Sequence, residues 1–223
     1  MLHHCRAVAR GVKWAFLVGD MPFGTYHESP SQAVRQAVRL IQEGHVEAVK
    51  MEGGQMIFDK LQAVHHAGIP VLGHIGLTPQ SQVMYGGYRV QGKTAETALR
   101  ILDEAFRVQD AGCFAVVLEA IPSVVAKEIT NALDIPTIGI GAGNTCSGQI
   151  LVQQDMLGMF DGFMPKFCKR FRNGVEEGVH ALQEYKQQVR QREFPGVEHE
   201  YEMEQGQQET FLEALQHRKQ RIV

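Results

Sequence analysis

The segment Ala48–Gly54 reads AVKMEGG, which is typical of a short buried β-strand that ends at a Gly-Gly turn. Because side chains alternate faces along a strand, Lys50 and Glu52 share one face, whereas Val49 and Met51 share the other. Two opposite charges at the end of an apolar run are costly to bury unless they are paired or bind a ligand. This segment alone is compatible with an ordinary ion pair in solvent and with a functional site.

Three other apolar segments end in the same way, each with one titratable side chain after its last apolar residues. These segments and their terminal residues are Trp14–Gly19 with Asp20, Pro70–Gly73 with His74, and Phe114–Leu118 with Glu119. The C-terminal ends of parallel strands form one catalytic face in α/β barrels. The sequence therefore predicts that these groups meet at a single face.

Composition narrows the class of protein. The chain has 223 residues, 44% of them hydrophobic, and a net charge of −3 with both signs interspersed. A basic stripe is absent from the sequence, which argues against nucleic acid as a partner. Apolar runs fall short of the roughly 20 residues of a membrane span, and the first residues lack the apolar core of a secretory signal. We therefore expect a soluble intracellular protein, cytoplasmic or, in a eukaryote, mitochondrial, with no membrane partner.

Apolar β-type segments alternate with amphipathic helical segments along most of the chain, and this pattern predicts a parallel sheet built from βα units. Strands are predicted at 14–19, 46–52, 69–76, 114–119 and 137–141, with a marginal one near Phe163. Helices are predicted at 2–10, from Ser29 or Ser31 to 44, at 56–67, 95–111, from Pro122, weakly at 149–156, and at 175–191. Residues 78–92 form a long loop, which in a compact domain indicates a functional segment or an interface.

The number of strands bears on the fold class. About six are predicted, against the eight of a closed (β/α)8 TIM barrel, and the chain begins in a helix with no strand before it. We expect an α/β barrel that lacks its first two βα units, with an open doubly wound sheet as the alternative. Residues 1–192 are predicted to form the incomplete barrel and catalytic domain. Residues 193–223 are predicted to form an acidic linker and a helical tail, with the helix from Thr210 to Ile222.

Longer sequence blocks surround the strand ends. They are GDMPF at 19–23, VKMEGG at 49–54, GHIGLTPQ at 73–80, GYRVQG at 87–92, VLE at 117–119, IGIGAG at 138–143 and PKF at 165–167. Their order resembles that of the ketopantoate hydroxymethyltransferase (3-methyl-2-oxobutanoate hydroxymethyltransferase) family over about residues 2–201. The resemblance implies a barrel of the phosphoenolpyruvate/pyruvate type that assembles into a homo-oligomer. It also implies Mg²⁺-dependent transfer of a hydroxymethyl group from 5,10-methylenetetrahydrofolate to 3-methyl-2-oxobutanoate, giving ketopantoate for pantothenate and coenzyme A synthesis.

The same resemblance implies a role for each strand-end residue. Asp20 would bind both the metal ion and the substrate, and Glu52 would be the second acid associated with the metal. Lys50 and His74 would bind substrate, and Glu119 would be the catalytic proton acceptor. Carboxylate oxygens are the ligands that Mg²⁺ prefers, which agrees with Asp20 and Glu52 as its partners.

One expected motif has no counterpart in the chain. The family's Gly-Asp-Ser motif supplies another metal-binding aspartate, and residues 18–20 are followed instead by Met-Pro-Phe. We therefore expect incomplete metal coordination, open sheet edges that associate, and negligible transfer by residues 1–223 alone. Two alternatives stay open: another Mg²⁺-dependent carbon–carbon lyase or aldolase on the same barrel, and a truncated non-catalytic homologue that acts as an assembly partner. The glycine run 139–143 lacks the spacing of a dinucleotide loop and indicates close backbone packing.

Overall fold

The computed structural model describes residues 1–220, with side chains described through residue 218. The strands are β1 (Val18–Asp20), β2 (Ala48–Glu52), β3 (Val71–Gly76), β4 (Ala115–Glu119), β5 (Thr137–Ile140) and β6 (Gly148–Gln149). The helices are α1 (Leu2–Ala9), α2 (Pro30–Gly44), α3 (Phe58–His66), α4 (Gln82–Tyr85), α5 (Ala95–Asp110), α6 (Ser123–Ala132), α7 (Gln153–Met156), α8 (Gly174–Gln191) and α9 (Gln207–Gln220). Short 3₁₀ turns lie at Gln55–Ile57, Pro79–Ser81 and Val197–His199. None of the helices in this part of the chain is both long enough and apolar enough to cross a membrane.

The six strands form one parallel sheet in the order β1-β2-β3-β4-β5-β6. Each crossover therefore advances in the same direction, as in a barrel. A doubly wound sheet instead reverses direction at a switch point. The strand order confirms the α/β fold of the barrel type and excludes the doubly wound alternative. Within the described residues β1 and β6 each have one unpaired edge.

Helix α2 shows how local sequence sets the elements around the sheet. The Ser29 side chain accepts a hydrogen bond from the backbone N–H of Gln32 at 3.2 Å, and Pro30 occupies the first helical position. This is an N-cap that satisfies a backbone donor without an intrahelical partner. Of the two predicted N-cap residues, Ser29 rather than Ser31 therefore caps the helix. The helix residues buried against the core are Ala33, Ala37, Leu40 and Gly44.

The first strand is shorter than predicted. Residues 14–17 are irregular, and Trp14 is 97% exposed. Pairing begins only at Val18, which lies opposite Ala48, because β2 has no residue further back to pair with. The Leu17 N–H donates instead to Glu47 Oε2 at 2.9 Å. Residues 14–17 have the composition of a strand, but they do not extend β1 because the neighbouring strand β2 begins only at Ala48.

The marginal strand near Phe163 is wrong, because Phe163 is exposed and lies outside regular structure. The sixth strand is β6, whose two residues pair with Ile138 and Gly139 of β5. Two reciprocal hydrogen bonds extend this pairing: the Thr137 N–H donates to Ser147 Oγ at 3.1 Å, and the Ser147 N–H donates to Thr137 Oγ1 at 3.2 Å. A strand of two residues has no alternating pattern that sequence could reveal. The weak helix predicted at 149–156 is the single turn α7.

The contacts divide the chain into two compact units. The first consists of Met1–Met156 with Gly162–Arg170, and the second of Leu157–Asp161 with the described residues from Phe171 onward. The predicted boundary at residue 192 falls inside the second unit, because α8 belongs to that unit. The predicted tail helix corresponds to α9, which begins earlier than Thr210, and Ile222 lies outside the described residues.

The core of the first unit lies between the sheet and its helices, and one glycine permits their close approach. Val108 of α5 is fully buried directly against Gly73 of β3. A Cβ atom at Gly73 would overlap the Val108 side chain. Helix α5 therefore packs on β3 at a distance that only a residue without a side chain allows.

Replacing Gly73 with alanine should lower the free energy of unfolding by about 1–3 kcal/mol, because the added methyl group overpacks the core against Val108. Urea denaturation of the purified chain measures this change. Gly178→Ala is the matched control: Gly178 lies within α8 with no atom near its would-be Cβ. That substitution should be neutral or stabilise the chain by up to about 1 kcal/mol. Equal effects of the two substitutions would contradict the packing argument.

Candidate active site

The register of the sheet brings the polar strand ends together. The adjacent pairs are Asp20 with Lys50, Glu52 with His74, and Gly76 with Glu119. In each pair, the last residue of one strand lies opposite a residue in the C-terminal half or at the centre of the next strand. The polar side chains therefore lie along one edge of four successive strands, as the sequence predicts.

Lys50 occupies the centre of this cluster. Its Nζ lies 3.0 Å from Asp20 Oδ1, 3.1 Å from Glu52 Oε1 and 3.1 Å from His74 Nδ1. An ammonium group has three N–H donors. Glu52 Oε1 and His74 Nδ1 are its hydrogen-bond partners, whereas Asp20 Oδ1 is held as an ion pair. Among the three partner side chains Asp20 is the most exposed, at 41%. A substrate atom that binds Lys50 must therefore displace one of these partners, and Asp20 is the most accessible.

The surroundings of His74 determine its tautomer. Nδ1 faces the Lys50 ammonium, which can only donate a hydrogen bond. Nε2 lies 2.9 Å from the Leu77 carbonyl oxygen, which can only accept one, and 3.1 Å from Glu119 Oε2. The hydrogen-bond partners thus assign a neutral imidazole with its proton on Nε2. His74 links Lys50 on one side to Glu119 on the other.

Gly76 leaves the space in which His74 reaches Glu119. Residues 74 and 76 face the same side of β3, and Gly76 lies directly opposite Glu119. Gly76 has φ of +91°, and a Cβ there would collide with the Glu119 backbone. The Leu77 N–H also donates to the Glu119 carbonyl at 2.8 Å. Glycine is therefore required for β3 to turn here without separating His74 from Glu119.

Gln80 connects the segments that follow three strands. Its backbone N–H donates to Glu52 Oε2 at 3.0 Å, and its Nε2 donates to the Met21 carbonyl at 2.9 Å. The Tyr26 hydroxyl donates to Gln80 Oε1 at 2.8 Å and accepts from the Glu52 N–H at 3.2 Å. Burial raises the pKa of the Tyr26 hydroxyl, so it remains a donor at neutral pH. Glu52 is therefore held from both its carboxylate and its backbone.

Sequence reasoning missed the roles of Tyr26 and Gln80. Gln80 is the last residue of the GHIGLTPQ block, and Tyr26 is a large aromatic residue in a loop rich in glycine and proline. These features of the sequence could have drawn attention to both residues. Neither lies at a strand end, which was the signal that identified the other site residues.

The charges of the cluster favour a cation. The carboxylates of Asp20 and Glu52 contact the Lys50 ammonium, and the carboxylate of Glu119 contacts His74, so three carboxylates share a cluster with one ammonium group. Asp20 Oδ1 is buried and receives no well-directed hydrogen bond, although Lys50 Nζ is near. Burial raises the pKa of Asp20, and the proximity of Lys50 opposes this only in part. Negative charge at Asp20 is thus incompletely compensated within the described residues.

The donor set is compatible with Mg²⁺ rather than with a metal bound by an all-protein cage. Among residues 1–220 no group of three or more His, Cys, Asp or Glu side chains is arranged to hold a metal ion. Mg²⁺ commonly takes one or two carboxylates and completes its shell with waters and substrate oxygens. Asp20 fits such a ligand. Each oxygen of Glu52 already accepts one contact, which makes Glu52 the less available of the two.

The structure brings all of the predicted site residues into one connected group: Asp20, Lys50, Glu52, His74 and Glu119. Their individual roles as metal ligands, substrate ligands and proton acceptor stay predictions. The geometry adds that Lys50 and His74 are each engaged by neighbours at every donor or acceptor that faces the cluster.

A family model described as ketopantoate hydroxymethyltransferase matches residues 1–197. The chain is 52% identical over 213 residues to the 3-methyl-2-oxobutanoate hydroxymethyltransferase of Oleidesulfovibrio alaskensis, covering 96% of this chain and 74% of that protein. It is 47% identical to the enzyme of that name from Emericella nidulans, covering 96% of this chain and 62% of the relative. A relative from Arabidopsis thaliana, named as mitochondrial, is 49% identical, with coverage of 97% and 64%. The chain thus spans about two thirds of the length of these relatives.

Two solved structures share the fold at low sequence identity. The phosphoenolpyruvate phosphomutase of Streptomyces platensis subsp. rosaceus matches with a TM-score of 0.51 and 12% identity, covering 99% of this chain and 77% of the other. A phosphonopyruvate hydrolase matches with a TM-score of 0.50 and 12% identity, with coverage of 100% and 75%. At this identity the likeness concerns the α/β barrel architecture alone.

Removal of the Tyr26 hydroxyl tests the connection through Gln80. Tyr26→Phe should lower the free energy of unfolding by about 1–3 kcal/mol, because it leaves a buried N–H at Glu52 and a buried acceptor at Gln80 without a partner. Urea denaturation is the measurement. Tyr88→Phe is the control, since Tyr88 is exposed and has no hydroxyl hydrogen bond among the described residues. A loss below about 0.5 kcal/mol for Tyr26→Phe would show that the connection contributes little.

Proposed function

The chain belongs to the ketopantoate hydroxymethyltransferase family, and on that premise we propose its reaction. Its site residues would serve the transfer of a hydroxymethyl group from 5,10-methylenetetrahydrofolate to 3-methyl-2-oxobutanoate, whose product is ketopantoate, used in pantothenate and coenzyme A biosynthesis. Transfer by residues 1–223 alone is expected to be negligible, because the family's further metal-binding aspartate has no counterpart among them. The observation that carries the proposal is the connected series Asp20–Lys50–His74–Glu119. This series places a cation-compatible carboxylate at one end and a second carboxylate at the other.

Glu119 is the proposed proton acceptor. Its side chain is only 12% exposed, and its Oε2 lies 3.1 Å from His74 Nε2. A carboxylate whose position is set by its neighbours before substrate binds suits a general base. The Nε2 proton of His74 is directed to the Leu77 carbonyl, and this hydrogen bond would hold the imidazole beside the Glu119 carboxylate.

Asp20 would hold Mg²⁺, with Glu52 as the further acid beside it. When bound, the ion would supply Lewis acidity that polarises the keto acid's carbonyl group. Lys50 would bind the negatively charged keto acid once the accessible Asp20 carboxylate exchanges its contact. An ammonium group held in place before the reaction stabilises developing negative charge without the cost of reorienting.

The proposed reaction begins at C3 of the keto acid, from which Glu119 removes the proton. C3 then forms a bond to the methylene carbon of the folate as the bond from that carbon to one folate nitrogen breaks. Water replaces the bond to the other nitrogen and leaves its hydroxyl group on the carbon. The proton taken by Glu119 and the second proton of the water go to the two nitrogens, and tetrahydrofolate leaves. The folate methylene group and Glu119 therefore both have to reach C3 of the keto acid, so the folate must bind near Glu119.

The finer architecture also belongs to this proposal. An eight-stranded barrel requires two strands in addition to β1–β6, and the unpaired edges of β1 and β6 would receive them. Homo-oligomeric assembly would likewise cover exposed apolar surface. A cytoplasmic or mitochondrial location stays a prediction.

Glu119→Gln should reduce proton exchange at C3 of 3-methyl-2-oxobutanoate by about 10²- to 10⁴-fold, the contribution typical of a general base. Proton NMR in deuterated buffer, with Mg²⁺ and without folate, measures the exchange. Glu128→Gln is the matched control, because Glu128 is exposed on α6 and away from the cluster. An undiminished rate in Glu119→Gln would remove Glu119 from its proposed role.

Asp20→Asn should weaken binding of the keto acid in the presence of Mg²⁺ by about tenfold or more, because the substrate would be held partly through the ion. Calorimetric titration of 3-methyl-2-oxobutanoate with and without Mg²⁺ measures this. Asp103→Asn, an exposed substitution on α5, removes the same charge elsewhere and should leave binding unchanged. Affinity that does not depend on Mg²⁺ in the parent chain would contradict the proposed role of Asp20.

A further inference from the structure

The backbone that follows Asp20 is held on both sides. Strand β1 ends at Asp20, and the next residue, Met21, is fully buried. The Met21 N–H donates to the Lys50 carbonyl at 3.0 Å, which continues the pairing of β1 with β2. The Met21 carbonyl accepts from the side-chain amide of Gln80 at 2.9 Å. The direction in which the chain leaves Asp20 is therefore set in part by a side chain from the segment after β3.

The amide group of Gln80 makes both of its contacts in one orientation. The Met21 carbonyl can only accept a hydrogen bond, so Nε2 must face it. Oε1 then accepts from the Tyr26 hydroxyl at 2.8 Å. An amide turned by 180° would bring two carbonyl oxygens together at Met21. Gln80 therefore joins the beginning of the loop after β1 to an aromatic residue further along the same loop.

Gln80 also holds Glu52, but through its backbone. The Gln80 N–H donates to Glu52 Oε2 at 3.0 Å, and Lys50 Nζ lies 3.1 Å from Glu52 Oε1. The Glu52 side chain is buried between these two donors. A substitution at position 80 that retains the backbone N–H would therefore leave this contact in place. The backbone and the side chain of Gln80 can thus be tested separately.

Gln80 contacts the segments that carry both of the acids proposed to lie beside the cation. Asp20 and Glu52 come from neighbouring strands, and Lys50 bridges their carboxylates in the structure. Binding of substrate to Lys50 requires that Asp20 give up its contact with the ammonium group. The bond from Gln80 to Met21 does not involve Lys50, so it persists after that exchange. It would keep Asp20 near Glu52 when the ion pair no longer does.

We propose that Gln80 is a positioning residue, whose side-chain amide keeps the Asp20 carboxylate beside Glu52 while Asp20 exchanges Lys50 for a cation. This inference rests on the proposed function, in which Asp20 binds Mg²⁺ and the keto acid is held partly through the ion. Gln80 would act through Asp20 and would not touch the substrate. Loss of a residue that orients a metal ligand commonly lowers metal affinity or activity by about 10- to 100-fold.

Gln80→Met tests the role of the amide, because methionine has a similar length and volume and keeps the backbone N–H that holds Glu52. In the presence of Mg²⁺ the affinity for 3-methyl-2-oxobutanoate should fall by about tenfold or more. Without Mg²⁺ the affinity should equal that of the parent chain, because the contacts of Lys50 are unchanged. Calorimetric titration of the full chain under both conditions measures the difference. A purely structural role would not make the loss depend on Mg²⁺.

Gln32→Met is the matched control in the same loop. Gln32 Nε2 donates to the Gly24 carbonyl at 3.1 Å, and its Oε1 accepts from the Glu28 N–H at 3.0 Å. The control therefore also removes one donated and one accepted hydrogen bond from a glutamine amide, but at residues outside the charged cluster. Its affinity for the keto acid should equal that of the parent chain under both conditions.

Amide hydrogen exchange, followed by NMR without metal or substrate, gives a second measurement. Gln80→Met should speed exchange of the Met21 and Glu52 N–H groups, because Met21 loses a contact and the Tyr26 hydroxyl that accepts from Glu52 loses its own acceptor. Gln32→Met should leave both rates unchanged. If Gln80→Met does not fold, Gln80→Asn provides the same comparisons, because its shorter side chain cannot span both contacts.

Two results would overturn the proposal: Mg²⁺-dependent affinity in Gln80→Met equal to that of Gln32→Met, or unchanged exchange at Met21. Failure of the proposed function gives a different result. A parent chain whose affinity for the keto acid ignores Mg²⁺ would reject the proposed metal chemistry. The exchange rates at Met21 and Glu52 would then decide by themselves whether Gln80 positions the two segments.

Discussion

The contacts of one ammonium group organise this protein's candidate site. Lys50 Nζ is surrounded by Asp20, Glu52 and His74, which come from three neighbouring strands. Removing an ammonium ion from water costs several kcal/mol, and only close acceptors with good geometry recover that cost. The three strands must therefore keep their register, because a shift of one residue would turn Lys50 and Glu52 to the opposite face of the sheet. Fold and site depend on the same pairing.

Other residues around this ammonium group hold the site residues in position and are not proposed to take part in the reaction. Gln80 and Tyr26 hold Glu52, and Gly76 lets His74 reach Glu119 without an intervening side chain. Buried polar groups of this kind are stabilising only when each member has its partner. Within the described residues, the Asp20 carboxylate has a buried oxygen, Oδ1, without a well-directed donor. This is the position at which a cation is proposed to bind.

The comparisons separate architecture from activity. Barrels with 12% identity share the arrangement of strands and helices, and this arrangement alone does not specify a reaction. The relatives at 47–52% identity establish the family, and the residues at the strand ends connect the family to chemistry.

The sequence by itself determined the α/β alternation, most helices, and the residues Asp20, Lys50, Glu52, His74 and Glu119. Each lies at the end of an apolar strand, and that local pattern is legible because side chains alternate along a strand. Tertiary structure alone decided the continuous strand order, the loss of the predicted strand at 14–17, and the pairing of β6. It also decided the positions of Tyr26 and Gln80. These features depend on contacts between residues far apart in the chain, and strand pairing or a hydrogen bond across 54 residues, as from Tyr26 to Gln80, has no local periodicity to reveal it.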